Sequence, residues 1–271
     1  MKIKKSPPIY ALDFDGVICD SAIETGMTGW KAAQKIWLDM PKANPPEAII
    51  NDFRQVRPFL ETGYEAILII RLLQQGLTVA ELSQDYPQQI NTLINKEQLN
   101  TQKLKQLFGT TRDQWINQSP QEWLNMNPLF TGITQRLETL TNSTWYIITT
   151  KQKRFVEQIL NNYKINIAKQ HIYGMEAKKS KQETLLELSM RHPNQEIIFI
   201  EDRLPTLIHI SKNKPLKNIK LQLVDWGYNT YNDRKKAQQY CIEIITRKQF
   251  IGDSQGGRIP LRKETSIMYD L

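Results

Sequence analysis

Asp13 and Asp15 stand two residues apart at the end of the apolar run Ile9-Tyr-Ala-Leu12, and Gly16 follows them. Positions i and i+2 of a strand share a face, so both carboxylates can turn toward one site. The glycine lets the backbone leave the strand tightly and approach an anion. Acids crowded in this way repel each other unless a proton or cation intervenes, and a hard divalent ion such as Mg²⁺ is a natural partner. Taken alone, the segment fits a solvated turn equally well. The chemistry it could perform is phosphoryl transfer. A carboxylate attacks phosphorus and holds the group as an acyl phosphate, while a neighbouring acid protonates the departing oxygen and later activates water. Donors and positive charge must then surround the transferring oxygens. Three later segments offer them: Trp145-Tyr-Ile-Ile-Thr-Thr-Lys151, Ala177-Lys-Lys-Ser-Lys181 and Ile197-Ile-Phe-Ile-Glu-Asp202.

These groups need elements to hold them. Ile9 to Leu12 reads as a buried strand whose C-terminal end faces a site. From Ser21 to about Asn127 the pattern is that of amphipathic helices, such as Gly29 to Leu38 and Gly63 to Leu73, with breaks expected at Pro41 and Pro45-Pro46, at Thr78 and at Thr110-Thr111. From Thr144 onward strands alternate with helices. The strands are Trp145 to Thr149, Glu196 to Glu201, Lys220 to Val224 and Ile242 to Ile245. The helices are Lys153 to Tyr163, Gln182 to Arg191, Pro205 to Lys212 and Asn232 to Tyr240. Such alternation gives a parallel sheet with helices on both faces. The expected fold class is α/β, a Rossmann-like parallel-sheet core formed by residues 1–20 and 128–251. An all-helical cap, residues 21–127, is inserted between them, and residues 252–271 form a C-terminal tail.

Composition narrows the alternatives. No apolar run approaches the roughly 20 residues that cross a bilayer, and the basic start Met1-Lys-Ile-Lys-Lys5 lacks the apolar stretch of a secretory signal. Two cysteines, Cys19 and Cys241, make no disulfide framework, so a cytoplasmic location with no membrane partner is expected. The three histidines have no metal-ligand spacing. A net charge of +8 permits polyanionic partners, yet the lysines are scattered without aromatic interleaving. A solvated basic surface, or a field that draws in a small phosphorylated metabolite, is favoured over nucleic acid.

Together, the Asp13 to Gly16 segment and the three downstream segments resemble the four ordered motifs of the haloacid dehalogenase-like hydrolase superfamily. The resemblance runs from about Ile9 to Ile245. It implies that Asp13 is the nucleophile and Asp15 the general acid and base. Thr149 then supplies the phosphoryl-binding hydroxyl, and Lys179 the charge-neutralising lysine, with Lys178 and Lys181 as competitors. Asp202 completes Mg²⁺ coordination with the Asp13 side chain and the Asp15 carbonyl. Glu201 replaces a frequent glycine and is a candidate second acid, and Thr150 could exchange roles with Thr149. The helical insertion resembles the family's cap. Phe130-Thr-Gly132 and Trp226-Gly-Tyr228 resemble segments of phosphoglycolate-phosphatase-like members. On the cap, Arg54, Arg57, Glu61 and Tyr64 fall at helical spacings, so Arg57 joins Gly16 and Thr150 as a candidate substrate contact, or else forms a surface pair with Glu61. Dehalogenating members lack an acid at the position of Asp15, so the resemblance implies a Mg²⁺-dependent phosphatase acting on a sugar or organic-acid phosphate. A phosphomutase of the same superfamily and a catalytically silent basic binding protein are the alternatives.

Overall fold

A computed structural model describes residues 6–140 and 143–252. Six short strands form one sheet: β1 (Ile9–Leu12), β2 (Trp145–Ile148), β3 (Ile172–Tyr173), β4 (Ile197–Glu201), β5 (Lys220–Val224) and β6 (Glu243–Ile245). All neighbours are parallel, in the order β3-β2-β1-β4-β5-β6. The chain fills one side of β1 and then crosses to the other, which leaves a topological switch point at the carboxyl ends of β1 and β4, where α/β sheets place their ligands.

Among the described residues, eight α-helices lie between β1 and β2, and the first seven form a helical insertion: α1 (Ala22–Ile36), α2 (Glu47–Val56), α3 (Glu65–Gln74), α4 (Val79–Gln84), α5 (Tyr86–Lys96), α6 (Thr101–Gln118) and α7 (Pro120–Asn125). The two ends of this insertion are stitched together. The Asp20 N–H donates to the Pro128 carbonyl at 2.8 Å, and the Phe130 N–H to the Ile18 carbonyl at 3.1 Å. The core helices are α8 (Ile133–Leu140), α9 (Lys153–Asn162), α10 (Lys181–Arg191), α11 (Leu204–Ser211), α12 (Tyr231–Ala237) and α13 (Arg247–Ile251). No helix among the described residues is long and apolar enough to cross a membrane.

Strand alternation divides the core. Ile9, Ala11, Ile148 and Phe199 pack with Leu185 and Leu207 on one face of the sheet. Leu12, Ile147, Ile198 and Ile200 face the other way, into a cluster continuous with the buried side of the insertion through Phe14, Val17 and Trp30. Strands buried on both faces read as unbroken apolar runs, which is why β1, β2 and β4 are legible in sequence.

Two sequence expectations change. Thr110-Thr111 does not break a helix, because α6 runs through it. Thr110 Oγ1 donates to the Leu107 carbonyl, and the buried Thr111 hydroxyl accepts from Lys35 Nζ at 2.9 Å, so neither side chain competes with the helix from outside. Strand β3 is additional, being two residues long and without a readable alternation. The Thr78 break holds, as the N-cap of α4 with a reciprocal Thr78–Glu81 capping box. The proposed tail falls almost wholly on residues 253–271, outside the described residues.

Candidate active site

Asp13 lies one residue past β1, its N–H held by the Ile200 carbonyl of β4 at 2.9 Å. Its carboxylate is buried and meets Lys181 Nζ at 2.9 Å. The same ammonium pairs with Glu201 Oε2 at 2.7 Å. Glu201 is fully buried at the end of β4, and its other oxygen accepts the N–H groups of Asp202 and Arg203, each at 3.2 Å. Both Glu201 oxygens thus have protein donors, so its geometry suits orienting the lysine.

Asp202 is fixed from the other side. Its Oδ2 accepts the Tyr228 N–H at 2.8 Å, and its carbonyl accepts Asn229 Nδ2 at 2.9 Å. Gly16 (φ +85°) and Gly227 pack against this side chain so closely that a Cβ on either would collide with it. The Gly16 N–H is engaged by the Cys19 carbonyl at 2.9 Å. Gly16 therefore makes room for Asp202 and leaves no free N–H for a substrate, which corrects the expected substrate contact.

Oxygens of Asp13, Glu201 and Asp202 lie within 4.8 Å of one another. Burial pushes the Asp13 carboxyl up to about 7, helped by Glu201 and opposed by Lys181. Burial and the neighbouring Asp13 push Asp202 up to about 6. Burial works against the Lys181 charge, but Asp13 and Glu201 outweigh it and hold the ammonium above its usual range. The acids carry more negative charge than one lysine neutralises. An all-oxygen donor set with a charge deficit fits a hard divalent cation held by Asp13 and Asp202.

Asp15 is held by a different lysine. Its Oδ1 meets Lys151 Nζ at 2.9 Å, and the Lys151 side chain is buried. Burial works to raise the Asp15 carboxyl, yet the charges of Lys151 and Arg57 outweigh it and hold the group below its usual range. Thr149, just past β2, is buried and accepts the Lys151 N–H at 3.1 Å, while Thr150 is exposed. Asp13, Asp15, Thr149, Thr150, Lys181 and Asp202 line one pocket of about 110 Å³. Arg57, Leu60 and Glu61 of the insertion roof it.

Several likenesses bear on this arrangement. No family model and no curated protein matches the sequence. Among solved structures, a protein assigned as a haloacid dehalogenase-like hydrolase from Bacteroides fragilis aligns over 90% of this chain and 98% of its own, at 17% identity and TM-score 0.54. One assigned as a phosphatase from Clostridium difficile aligns over 89% and 95%, at 14% identity and TM-score 0.54. One assigned as a phosphoglycolate phosphatase from Lactobacillus delbrueckii aligns over 88% and 94%, at 12% identity and TM-score 0.51. The chain has the haloacid dehalogenase-like fold.

Within the haloacid dehalogenase-like fold of this chain, the lysine is placed differently from expectation. Lys179 is exposed and bonds Glu187 Oε2 at 2.6 Å on the outer face of α10. Lys178 is exposed in a left-handed turn at φ +50°. Lys181 reaches Asp13 because Ser180 is the N-cap of α10, with a reciprocal Ser180–Glu183 capping box that makes Lys181 the first helical residue. The Ser180-x-x-Glu183 spacing is the sequence signal that places Lys181, rather than Lys179, at the start of the helix.

Lys151 and Tyr228, which end two of the segments picked out in sequence, also join the site, as does Arg203, to which no motif pointed. Arg203 Nη1 donates to the Leu60 carbonyl at 3.4 Å, and Nη2 pairs with Glu61 at 3.6 Å. Tyr228 donates its hydroxyl to Asp20 at 2.9 Å, and the Arg57 guanidinium lies 4.3 Å from its ring centroid. Glu61 therefore pairs with the core through Arg203, and Arg57 turns to Tyr228 in the pocket. Arg54 binds Asp20 at 2.8 Å at the edge of the insertion. These contacts join distant segments, which local sequence pattern does not reveal.

Proposed function

We propose that this protein is a phosphatase, dependent on Mg²⁺, that hydrolyses a small-molecule phosphate monoester through an aspartyl phosphate on Asp13. The observation that carries this reading is the convergence on one buried pocket of Asp13, Lys181, Asp202 and Thr149, from four separate segments at the switch point of the sheet. Assembly of these groups supports turnover over a silent binding role. The likeness of the fold to proteins assigned as phosphatases supports the same reading.

In this reading an Asp13 oxygen attacks phosphorus, and the bond from phosphorus to the ester oxygen breaks. Asp15 gives its proton to the departing alcohol oxygen. Water then attacks phosphorus, Asp15 takes a proton from it, and the bond to Asp13 breaks to release phosphate. Lys151 holds Asp15 ionised at rest, the form that acts as base. The negative phosphate of an incoming substrate raises the proton affinity of Asp15 and equips it as the acid. Lys181 neutralises charge on the transferring group, and the Thr149 hydroxyl donates to one of its oxygens. A bound Mg²⁺, held by Asp13 and Asp202, would neutralise the acids and the phosphate. The roof of Arg57, Leu60 and Glu61 limits water around the reacting atoms.

A phosphate-release screen with Mg²⁺ tests this reading, using p-nitrophenyl phosphate and a panel of metabolite esters. Asp13→Asn is expected to lose roughly a thousandfold or more of kcat. Equal release by wild type and variant would contradict it.

A further inference from the structure

Beside the catalytic pocket lies a cavity of about 770 Å³ between the insertion and the core. Glu61, Arg203 and Tyr228 line both spaces, so a molecule with its phosphate at Asp13 extends past them into the larger one. Resting on the phosphatase reading, we propose that this cavity receives the nucleoside part of a nucleoside 5′-monophosphate, with the base on the Phe59–Tyr86 wall and the pentose beside Glu61.

Size, wall, junction and charge converge on this class. Cavities of about 300–1,000 Å³ suit ligands well beyond a two- or three-carbon alcohol, which would leave most of this space to water. One wall is a stack of Phe59 on Tyr86, with ring centroids 5.9 Å apart and an interplanar angle of 27°. Pro58, Pro87 and Ile90 extend it. Tyr86 is buried and Phe59 half-buried, so the Phe59 ring is the one that can give a planar heteroaromatic ring a stacking partner.

At the junction, the Glu61 side chain is 72% exposed and is held by Arg203 through one oxygen. A carboxylate with acceptor capacity to spare is suited to the paired hydroxyls of a pentose. Glu61, Glu65 and Asp233 against Arg203 leave the lining net negative. That charge disfavours a second phosphate or a carboxylate on the leaving group. Of the two substrate classes expected from sequence, the organic-acid phosphates are therefore disfavoured.

The test compares phosphate release, with Mg²⁺ present, from nucleoside 5′-monophosphates, a nucleoside diphosphate, ribose 5-phosphate and a two-carbon carboxylate phosphate. The nucleoside monophosphates are expected to exceed ribose 5-phosphate in kcat/KM by roughly tenfold or more, the contribution of the stacked base. Phe59→Ala should collapse that ratio while ribose 5-phosphate turnover stays close to wild type. Ribose 5-phosphate turned over as well as the nucleotides, or a loss on Phe59→Ala that is equal for both, would overturn the proposal.

Calorimetry on Asp13→Asn separates this inference from the phosphatase reading. Binding of a nucleoside monophosphate more tightly than ribose 5-phosphate sustains the cavity assignment even if no ester releases phosphate. Equal or absent binding overturns it even if p-nitrophenyl phosphate is hydrolysed.

Discussion

Lys181 shows how one side chain decides the character of the site. It is the cation shared by Asp13 and Glu201, whereas Lys179, two residues earlier, faces Glu187 on the surface. Lys181→Met should lower kcat/KM by about 100-fold or more, the scale of removing one charged stabiliser of a transition state. Lys179→Met should leave steady-state kinetics within about twofold, and the pair measured side by side assigns the lysine.

Asp13 and Asp202 give a second test at this scale. Their folded-state proton affinities are raised, to about 7 and about 6, so they favour the fold below about pH 4 and that contribution is lost as pH rises through 6 and 7. On the proposed function, a bound divalent cation would replace the missing protons. The rise in Tm on adding Mg²⁺ to metal-free protein should be larger at pH 8 than at pH 5, and equal increments would contradict the shared-acid picture. Asp13, Thr149 and Asp202 were legible as strand ends because an apolar run stops there. Lys181 was legible only in part: the Ser180-x-x-Glu183 spacing marks it as the first helical residue, but the turn through Lys178 at positive φ, just before Lys179, has no sequence signal.

Two capping boxes separate stability from function at the scale of elements. Ser180 caps α10 and sets the height of Lys181, whereas Thr78 caps α4 far along the insertion. Ser180→Ala and Thr78→Ala should each cost about 1 kcal/mol in denaturant unfolding. Only Ser180→Ala should also lower kcat severalfold, since fraying of the first turn moves the lysine off Asp13. Gly16→Ala combines a backbone held at φ +85° with a Cβ directed at the Asp202 carboxylate, so it should weaken Mg²⁺ stabilisation as well as activity. The central strands and most core helices were readable because burial on both faces leaves apolar runs between turn residues. Two-residue β3 and the unbroken α6 were not. The first is set by pairing with β2, and the second by the internal satisfaction of Thr110 and Thr111.

Over the whole molecule, the insertion leaves and rejoins the core at one stitched point and returns to it through Arg203 with Glu61 and through Tyr228 with Arg57. Arg203 follows Asp202 directly in the chain, and all four residues line the pocket that holds Asp13, so the helical segment supplies part of that pocket's wall. The order of elements, a strand, a helical stretch and then a strand-helix repeat, was visible in sequence. The pairs that join the two parts were hidden, because they link positions more than 140 residues apart.

The central claim is the covalent phosphoryl group on Asp13. Protein mixed briefly with p-nitrophenyl phosphate and Mg²⁺, then quenched in acid, should carry phosphate on the peptide holding Tyr10 to Ile18. Hydroxylamine should remove it, and Asp13→Asn should lack it. Catalytic phosphate release with no label on that peptide, or a label that survives in Asp13→Asn, would contradict the proposed mechanism.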